Sequence, residues 1–487
     1  MNQVYSTIPD PKKIKRTNHF YIVGTIIFIL LALVGAVYAF VPQFTFYGLI
    51  KPREIFSGTI NMQGEWRGDP IKEKFLTDTV KAFTDSHPKI KVNIKYNTDF
   101  PGGRPGAIQA TVNQIKSGGS DWDIVWLEPY NYQQVVDTLT YDSWIRNSIV
   151  NFESIPGFKE SQKDFITLDP QYRNRMGGVI TGPYIEGFYQ PLFYNKVLAD
   201  KMGLVIKDRG MTFADLAGYF RQIYNYNIEN GTEIPALYES GLATGELGYG
   251  PSTWSIFQSL FRSEFQNLAE VENLTPSQAK LEAVRKVLKS LEELAQYKPL
   301  NKDYKNLNWY ISRGYILDEK AVFSATGPTW MYSIWMATDK ERTLNVVPAE
   351  LPVYQPVNHY IGDYKPLFAV NRNSPLGVEA EQLLMSFCTP QVADRWVKDT
   401  KSPSGIKGSL IASESASNGN QFENFTNYIT SKYNTNIYNS ATVDYILGDK
   451  YKGITDKFRQ NLVAVIDGKI TADEAYSRIL TDMDLVP

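Results

Sequence analysis

Residues 179 to 195 read Val-Ile-Thr-Gly-Pro-Tyr-Ile-Glu-Gly-Phe-Tyr-Gln-Pro-Leu-Phe-Tyr-Asn. Gly177, Gly178, Gly182 and Pro183 break regular structure over the first half. The second half is apolar and aromatic, as a buried strand is. One run of alternating strands and helices precedes this stretch and another follows it, so it reads as the crossing between two lobes. Glu186 falls near its middle, where a cleft between lobes is deepest. A carboxylate beside such apolar sequence needs a partner or a ligand, because burying a bare charge is costly.

Upstream, Gly58 to Met62 reads as a strand. Ile71, Phe75, Val80 and Phe83 share one helix face, and that helix stops at His87-Pro88. Ile90, Val92, Ile94 and Tyr96 alternate with Lys89, Lys91, Asn93 and Lys95, the pattern of a strand with one solvated face. Pro105 to Lys116 is helical and ends at Gly118-Gly119, and Asp123 to Leu127 is a short buried strand. Such alternation predicts a mostly parallel sheet with right-handed crossovers. Ligands of these sheets gather beyond the carboxyl ends of the strands. The first end carries Gln63, Glu65, Trp66 and Arg67, the second Asn97, Asp99 and Arg104, the third Glu128 and Tyr130. This polar and aromatic set suits a hydroxyl-rich ligand, although surface loops are polar in any case.

Downstream the chain starts again. Tyr194-Asn195-Lys196 leads into a helix through Leu204, and Thr212 to Asp215 is a capping box opening a helix to about Tyr226. Ile234 to Glu239 reads as a strand, followed by the Gly-rich Gly241 to Gly250, which holds Glu246 and Tyr249. Trp254 to Phe265 and Gln278 to Tyr297 are amphipathic helices. Ala321 to Ala325 is a strand, and Gly327-Pro328-Thr329-Trp330 opens the next helix at its proline. Asn345 to Leu351 and Pro366 to Val370 are further strands, and the remainder is largely helical.

At 487 residues the chain is too long for a single hydrophobic core. An apolar fraction of 43% with 21% charged residues describes a mostly globular, soluble body. A formal net charge of -2 gives no electrostatic argument for nucleic acid. The 31 Tyr and 9 Trp serve core packing or ligand stacking, and composition leaves both open. The lone Cys388 lies in an apolar helical pattern and reads as a small core residue.

The N-terminus sets the compartment. Residues 1 to 18 form a basic tail containing Lys12, Lys13, Lys15 and Arg16. Phe20 to Val41 then runs without a charge. As a helix of roughly 22 residues at about 1.5 Å each it spans about 30 Å, the thickness of a bilayer core. The basic flank stays in the cytoplasm and the rest lies outside. A cleavable signal ending at Val37-Tyr38-Ala39 is the competing reading. No cysteine follows the segment to accept a lipid, so an uncleaved anchor over 19–42 is the expectation.

Four local patterns stand in order along the chain: Lys116-Ser-Gly-Gly-Ser-Asp-Trp-Asp-Ile-Val-Trp126, Leu192-Phe-Tyr-Asn-Lys196, Gly-Pro-Thr-Trp330, and Thr389-Pro-Gln-Val-Ala-Asp-Arg-Trp396 after a helix from Gly377 to Cys388. From about Gly58 onward the chain resembles the extracellular solute-binding proteins of ABC importers, the maltose-binding-protein-like class. The resemblance implies an α/β fold, a two-lobed periplasmic-binding-protein-like clamp of type II. Lobe 1 would comprise 57–180 plus 363–413, and lobe 2 would comprise 181–362 plus 414–487. They would join at Thr181 to Gln190 and again near Tyr360 to Lys365. It also implies a carbohydrate ligand, permease subunits and a separate ATPase as partners, and no catalysis, cofactor or metal. By position Glu186 matches the acidic residue after the first crossing, Trp330 the stacking aromatic, and Gln63 to Arg67 the loop after the first strand; Tyr249 matches only loosely. The hydrophobic anchor and basic tail depart from the lipid-anchored or free forms usual in that class.

Two rivals stay open. An extracellular glycosidase could draw two carboxylates from Glu65, Glu128 and Glu186. No acid and base pair is marked, His19, His87 and His359 have no metal-ligand spacing, and neither a Gly-x-Ser-x-Gly elbow nor a P-loop is present. A ligand sensor acting through a membrane kinase is the other.

Overall fold

The structure is a computed structural model. It describes residues 57–240, 252–272, 274–307, 314–408, 420–433, 437–438 and 444–485. The segment Phe20 to Val41 and Tyr249 lie outside the described residues, and among those no helix is long and apolar enough to cross a membrane. Gly58–Pro487 forms one compact unit.

In chain order the strands are β1 (Gly58–Gly64), β2 (Ile90–Tyr96), β3 (Ile124–Trp126), β4 (Glu186–Tyr189), β5 (Leu192–Asn195), β6 (Leu237–Tyr238), β7 (Phe323–Ser324), β8 (Val346–Ala349), β9 (Tyr360–Lys365), β10 (Phe368–Val370) and β11 (Ile437–Tyr438). The helices used below are α1 (Pro70–Ser86), α2 (Arg104–Ser117), α3 (Pro129–Leu139), α4 (Phe213–Asn230), α5 (Ser252–Glu270), α6 (Pro276–Ala295), α7 (Met331–Thr338), α8 (Pro390–Thr400) and α9 (Gln421–Lys432).

The first sheet has the order β10-β3-β1-β2. β1 runs parallel to β2 over its whole length and parallel to β3, while β10 returns antiparallel. Asp69 and Pro70 start α1, since the Asp69 carboxylate accepts from the Lys72 backbone N–H and proline suits a first turn. α2 ends at Gly118, whose φ of +63° favours glycine. The second sheet has the order β6-β7-β5-β8. Its core is a large apolar cluster with α4, α5 and α6, to which Phe220, Phe257 and Leu288 contribute fully buried side chains.

A third sheet has the order β11-β9-β4. β4 and β9 pair antiparallel, with Glu186 opposite Lys365 and Tyr189 opposite Gly362. The stretches expected to cross between lobes thus lie side by side. A Cβ on Gly187 would meet Tyr364 at 2.5 Å and the Pro403 carbonyl at 2.8 Å, so only glycine lets β4 pass there.

Three details differ from the sequence reading. The stretch Glu186 to Asn195 is two strands, because Pro191 has no N–H and Gln190 turns aside to bond Ile361, Ala325 and Gly327 carbonyls. α7 begins at Met331, with Pro328 in the turn before it, where the Thr329 N–H donates to the Tyr189 carbonyl at 2.8 Å. β11 is a strand within a region read as helical.

Candidate ligand-binding site

Beyond the carboxyl ends of β1, β2 and β3, four carboxylates and three cations meet at the seam with β4, β9 and α7. β1 hands over to Glu65 and Trp66. Trp66 holds φ +75°, a left-handed backbone that costs a non-glycine residue on the order of 1–3 kcal/mol. Burying an indole against Phe75, Phe368 and Trp396 stabilises by roughly 4–6 kcal/mol, from about 150–250 Å² at about 25 cal/mol per Å². Burial therefore wins, and the turn aims the Trp66 Nε1–H at Glu186 Oε2, 3.0 Å away.

Glu186 is 4% exposed. Lys72, from the first turn of α1, donates to Glu186 Oε1 at 3.4 Å and lies 3.9 Å from Asp69. Its ammonium stands 4.9 Å from the centre of the Trp330 ring, an attractive cation–π placement. Asp69 in turn accepts from the Ser333 hydroxyl of α7 at 2.5 Å, so this cluster ties the first-sheet side to the second. Burial alone would raise the Glu186 carboxyl. The charges of Lys72 and Lys365, with the Trp66 and Lys72 hydrogen bonds, outweigh it and hold the carboxyl below the usual range.

Glu128, at the start of α3, accepts from Lys365 Nζ at 2.5 Å. Glu65 Oε1 accepts from Arg104 Nη2 at 2.5 Å, whereas its Oε2 is buried with no hydrogen-bond donor. Burial pushes the Glu65 carboxyl up to about 7, against the Arg104 charge and with Glu128 and Glu186 adding repulsion.

Glu65 is not alone in this. Gln63 Nε2, both polar atoms of the fully buried Asn97 side chain, and Trp126 Nε1 are likewise buried without a hydrogen-bond partner. The register sets these residues on neighbouring strand ends: Gly64 lies opposite Tyr96, one residue short of Glu65 and Asn97. Each unanswered buried group costs about 1–3 kcal/mol, so a molecule offering donors and acceptors there gains several such terms.

The residues singled out by sequence divide as follows. Glu65, Arg104, Glu128, Glu186, Trp66 and Trp330 come to the seam. Gln63 faces inward, where its oxygen accepts from the Thr111 hydroxyl and the Trp126 backbone N–H. Arg67 is half exposed at the rim, near Glu73 and Asp99 and 4.6 Å from the Tyr96 ring centre. Tyr130 is half-buried on the first turn of α3. Asp69, Lys72, Ser333 and Lys365 were missed. Asp69 before Pro70 is a readable helix start, but nothing local marks the lysine three residues on as the counter-ion of Glu186. Among the described residues no group of three or more His, Cys, Asp and Glu side chains could hold a metal ion.

No family model matches this chain, and no curated protein matches it. Solved structures do. The GacH receptor of Streptomyces glaucescens, solved unliganded and with acarbose, superposes with a TM-score of 0.59 at 15% identity, covering 88% of this chain and 99% of that one. The maltose-bound MalE3 of T. maritima gives 0.56 at 15%, covering 88% and 99%. The cyclic alpha-maltosyl-1,6-maltose binding protein of Arthrobacter globiformis gives 0.56 at 16%, covering 88% and 98%. The α/β fold is that of two-lobed sugar-binding proteins, and the resemblance drawn from sequence holds at the level of the fold.

Proposed function

We propose that this protein is an extracytoplasmic solute-binding protein. It captures a sugar or oligosaccharide between its lobes and delivers it to permease subunits worked by a separate ATPase, tethered by Phe20 to Val41. The observation that carries the reading is the set of unpartnered buried polar atoms on Glu65, Asn97 and Trp126 at the strand ends. Sugars present hydroxyls that donate and accept at such groups, and C–H faces that pack on indole rings. Several structures of the same fold carry sugar-binding names, which supports the ligand class. The paired crossings β4 and β9 supply a hinge, and ligand favours closure by touching both lobes.

The test is a thermal-shift screen of the full chain in detergent against mono- and oligosaccharides, since a ligand bound only by the folded state raises the melting temperature. At least one sugar should do so, and cells lacking the protein should fail to take it up until the gene is restored. A flat screen with unimpaired uptake would refute the proposal.

A further inference from the structure

Away from the charged seam, a cavity of about 140 Å³ opens beside β9. Its wall is built from Met211, ahead of α4, from Leu351, Val353 and Val357 after β8, and from Tyr360 and Ile361 at the start of β9. Gly210, Pro356 and Lys432, all exposed, stand at its rim and give it an entrance.

Most polar side chains of the wall bond to protein, and Ser259 and Gln355 also line it. Glu350 accepts from the Tyr433 hydroxyl at 2.8 Å, Lys432 at 3.0 Å, the Tyr428 hydroxyl at 3.3 Å and the Gly210 N–H. The Tyr354 hydroxyl pairs with Ser290 at 2.6 Å, Tyr360 donates to the Gln190 carbonyl at 3.0 Å, and Thr212 donates to Asp215 at 2.7 Å. Burial, with the Arg262 charge, pulls the His359 imidazole down to about 4, so at neutral pH it lines the cavity uncharged. Water stays in a cavity where two to four polar groups need it, and an apolar cavity of about 150 Å³ instead takes a benzene ring.

We propose that this cavity is a second binding site, for a single-ring aromatic or similarly small apolar molecule, separate from the carboxylate-lined seam. Its position gives it a consequence. Tyr360 opens the β9 passage and bonds the carbonyl of Gln190, where the β4 passage ends. A ring packed on Tyr360 and Ile361 braces both passages at once.

Benzene and indole are the probes, applied to the full chain in detergent. Saturable one-to-one binding by ligand-observed NMR is expected, together with a rise in melting temperature. Val353→Phe fills the cavity and Val357→Trp blocks it from a partly exposed position that tolerates bulk, so either change should weaken binding at least tenfold. Amide hydrogen exchange across Tyr360–Lys365 should slow at least twofold with probe bound. Absent saturation, binding that survives both substitutions, or a probe-soaked crystal showing only ordered water overturns the site. Binding with unchanged exchange in β9 overturns the bracing.

Discussion

Glu65 and Glu239 occupy equivalent places in the two halves of the molecule, each just past the carboxyl end of a strand. Both are buried, and burial pushes both carboxyls up to about 7. Their hydrogen bonds differ. Glu239 accepts from the N–H groups of Ser240 and Ser252 at 3.0 Å each, and from the N–H and hydroxyl of Thr253 at 2.9 and 2.6 Å. Both its oxygens are used, and it caps α5. Glu65 has one oxygen on Arg104 and one unanswered. A raised carboxyl therefore does not mark a ligand site by itself. Under the proposed function, the unfilled half of Glu65's hydrogen-bonding capacity is what sets it apart.

Glu186 supplies the sharpest contrast, because full charges answer it. Lys72→Met removes the cation nearest Glu186, and breaking a buried pair costs about 3–5 kcal/mol. Urea unfolding at pH 7.5 should register that as the largest effect. A loss below about 1 kcal/mol would show that water or Lys365 replaces Lys72.

Next comes pH. Glu65 and Glu239 have folded values near 7, above the ordinary 4.5. The stability they favour is fully present below about 4.5 and lost as pH rises through 7, at about 1.4 kcal/mol per unit per group. Glu186 works the other way, losing its contribution as pH falls below 4.5. The ligand-free protein should therefore melt lower at pH 8 than at pH 5.5. Glu65→Gln should flatten that decline, leaving the variant relatively more stable at pH 8. An unchanged slope would mean that Glu65 titrates at its ordinary value.

Glu239→Gln is expected to be smaller and of a different kind. It sets an NH2 group against N–H donors, at about 1–3 kcal/mol, and should lower stability while removing Glu239's share of the pH decline, without changing sugar affinity. Chemical denaturation with calorimetry in parallel checks both halves. A variant that loses affinity while keeping stability would erase the distinction between the two residues.

Much of this was legible in sequence. Alternation at Ile90 to Tyr96, the breaker at His87-Pro88, and the capping box at Thr212 are local signals, and the elements stand where those signals place them. Strand-end logic brought Glu65, Arg104 and Glu128 to one place because parallel sheets gather ligands there. The pairing of Glu186 with Lys72 spans 114 residues and leaves no periodicity to read. Trp66 was legible as aromatic but not as core, since its packing depends on Trp396, far along the chain. The break at Pro191 was visible as a proline, yet the apolar run around it masked two short strands as one.

The most direct measurement is calorimetry of the cognate sugar with the wild type and Glu65→Gln, at pH 6 and pH 8. A ligand hydroxyl donating to Glu65 Oε2 favours the ionised form. Affinity of the wild type should therefore rise as pH passes 7, by up to about tenfold for one pKa unit of coupling. Glu65→Gln should bind about tenfold or more weakly at pH 8, equivalent to about 1.4 kcal/mol, with little dependence on pH. Equal affinity of the two proteins at both pH values would contradict the account.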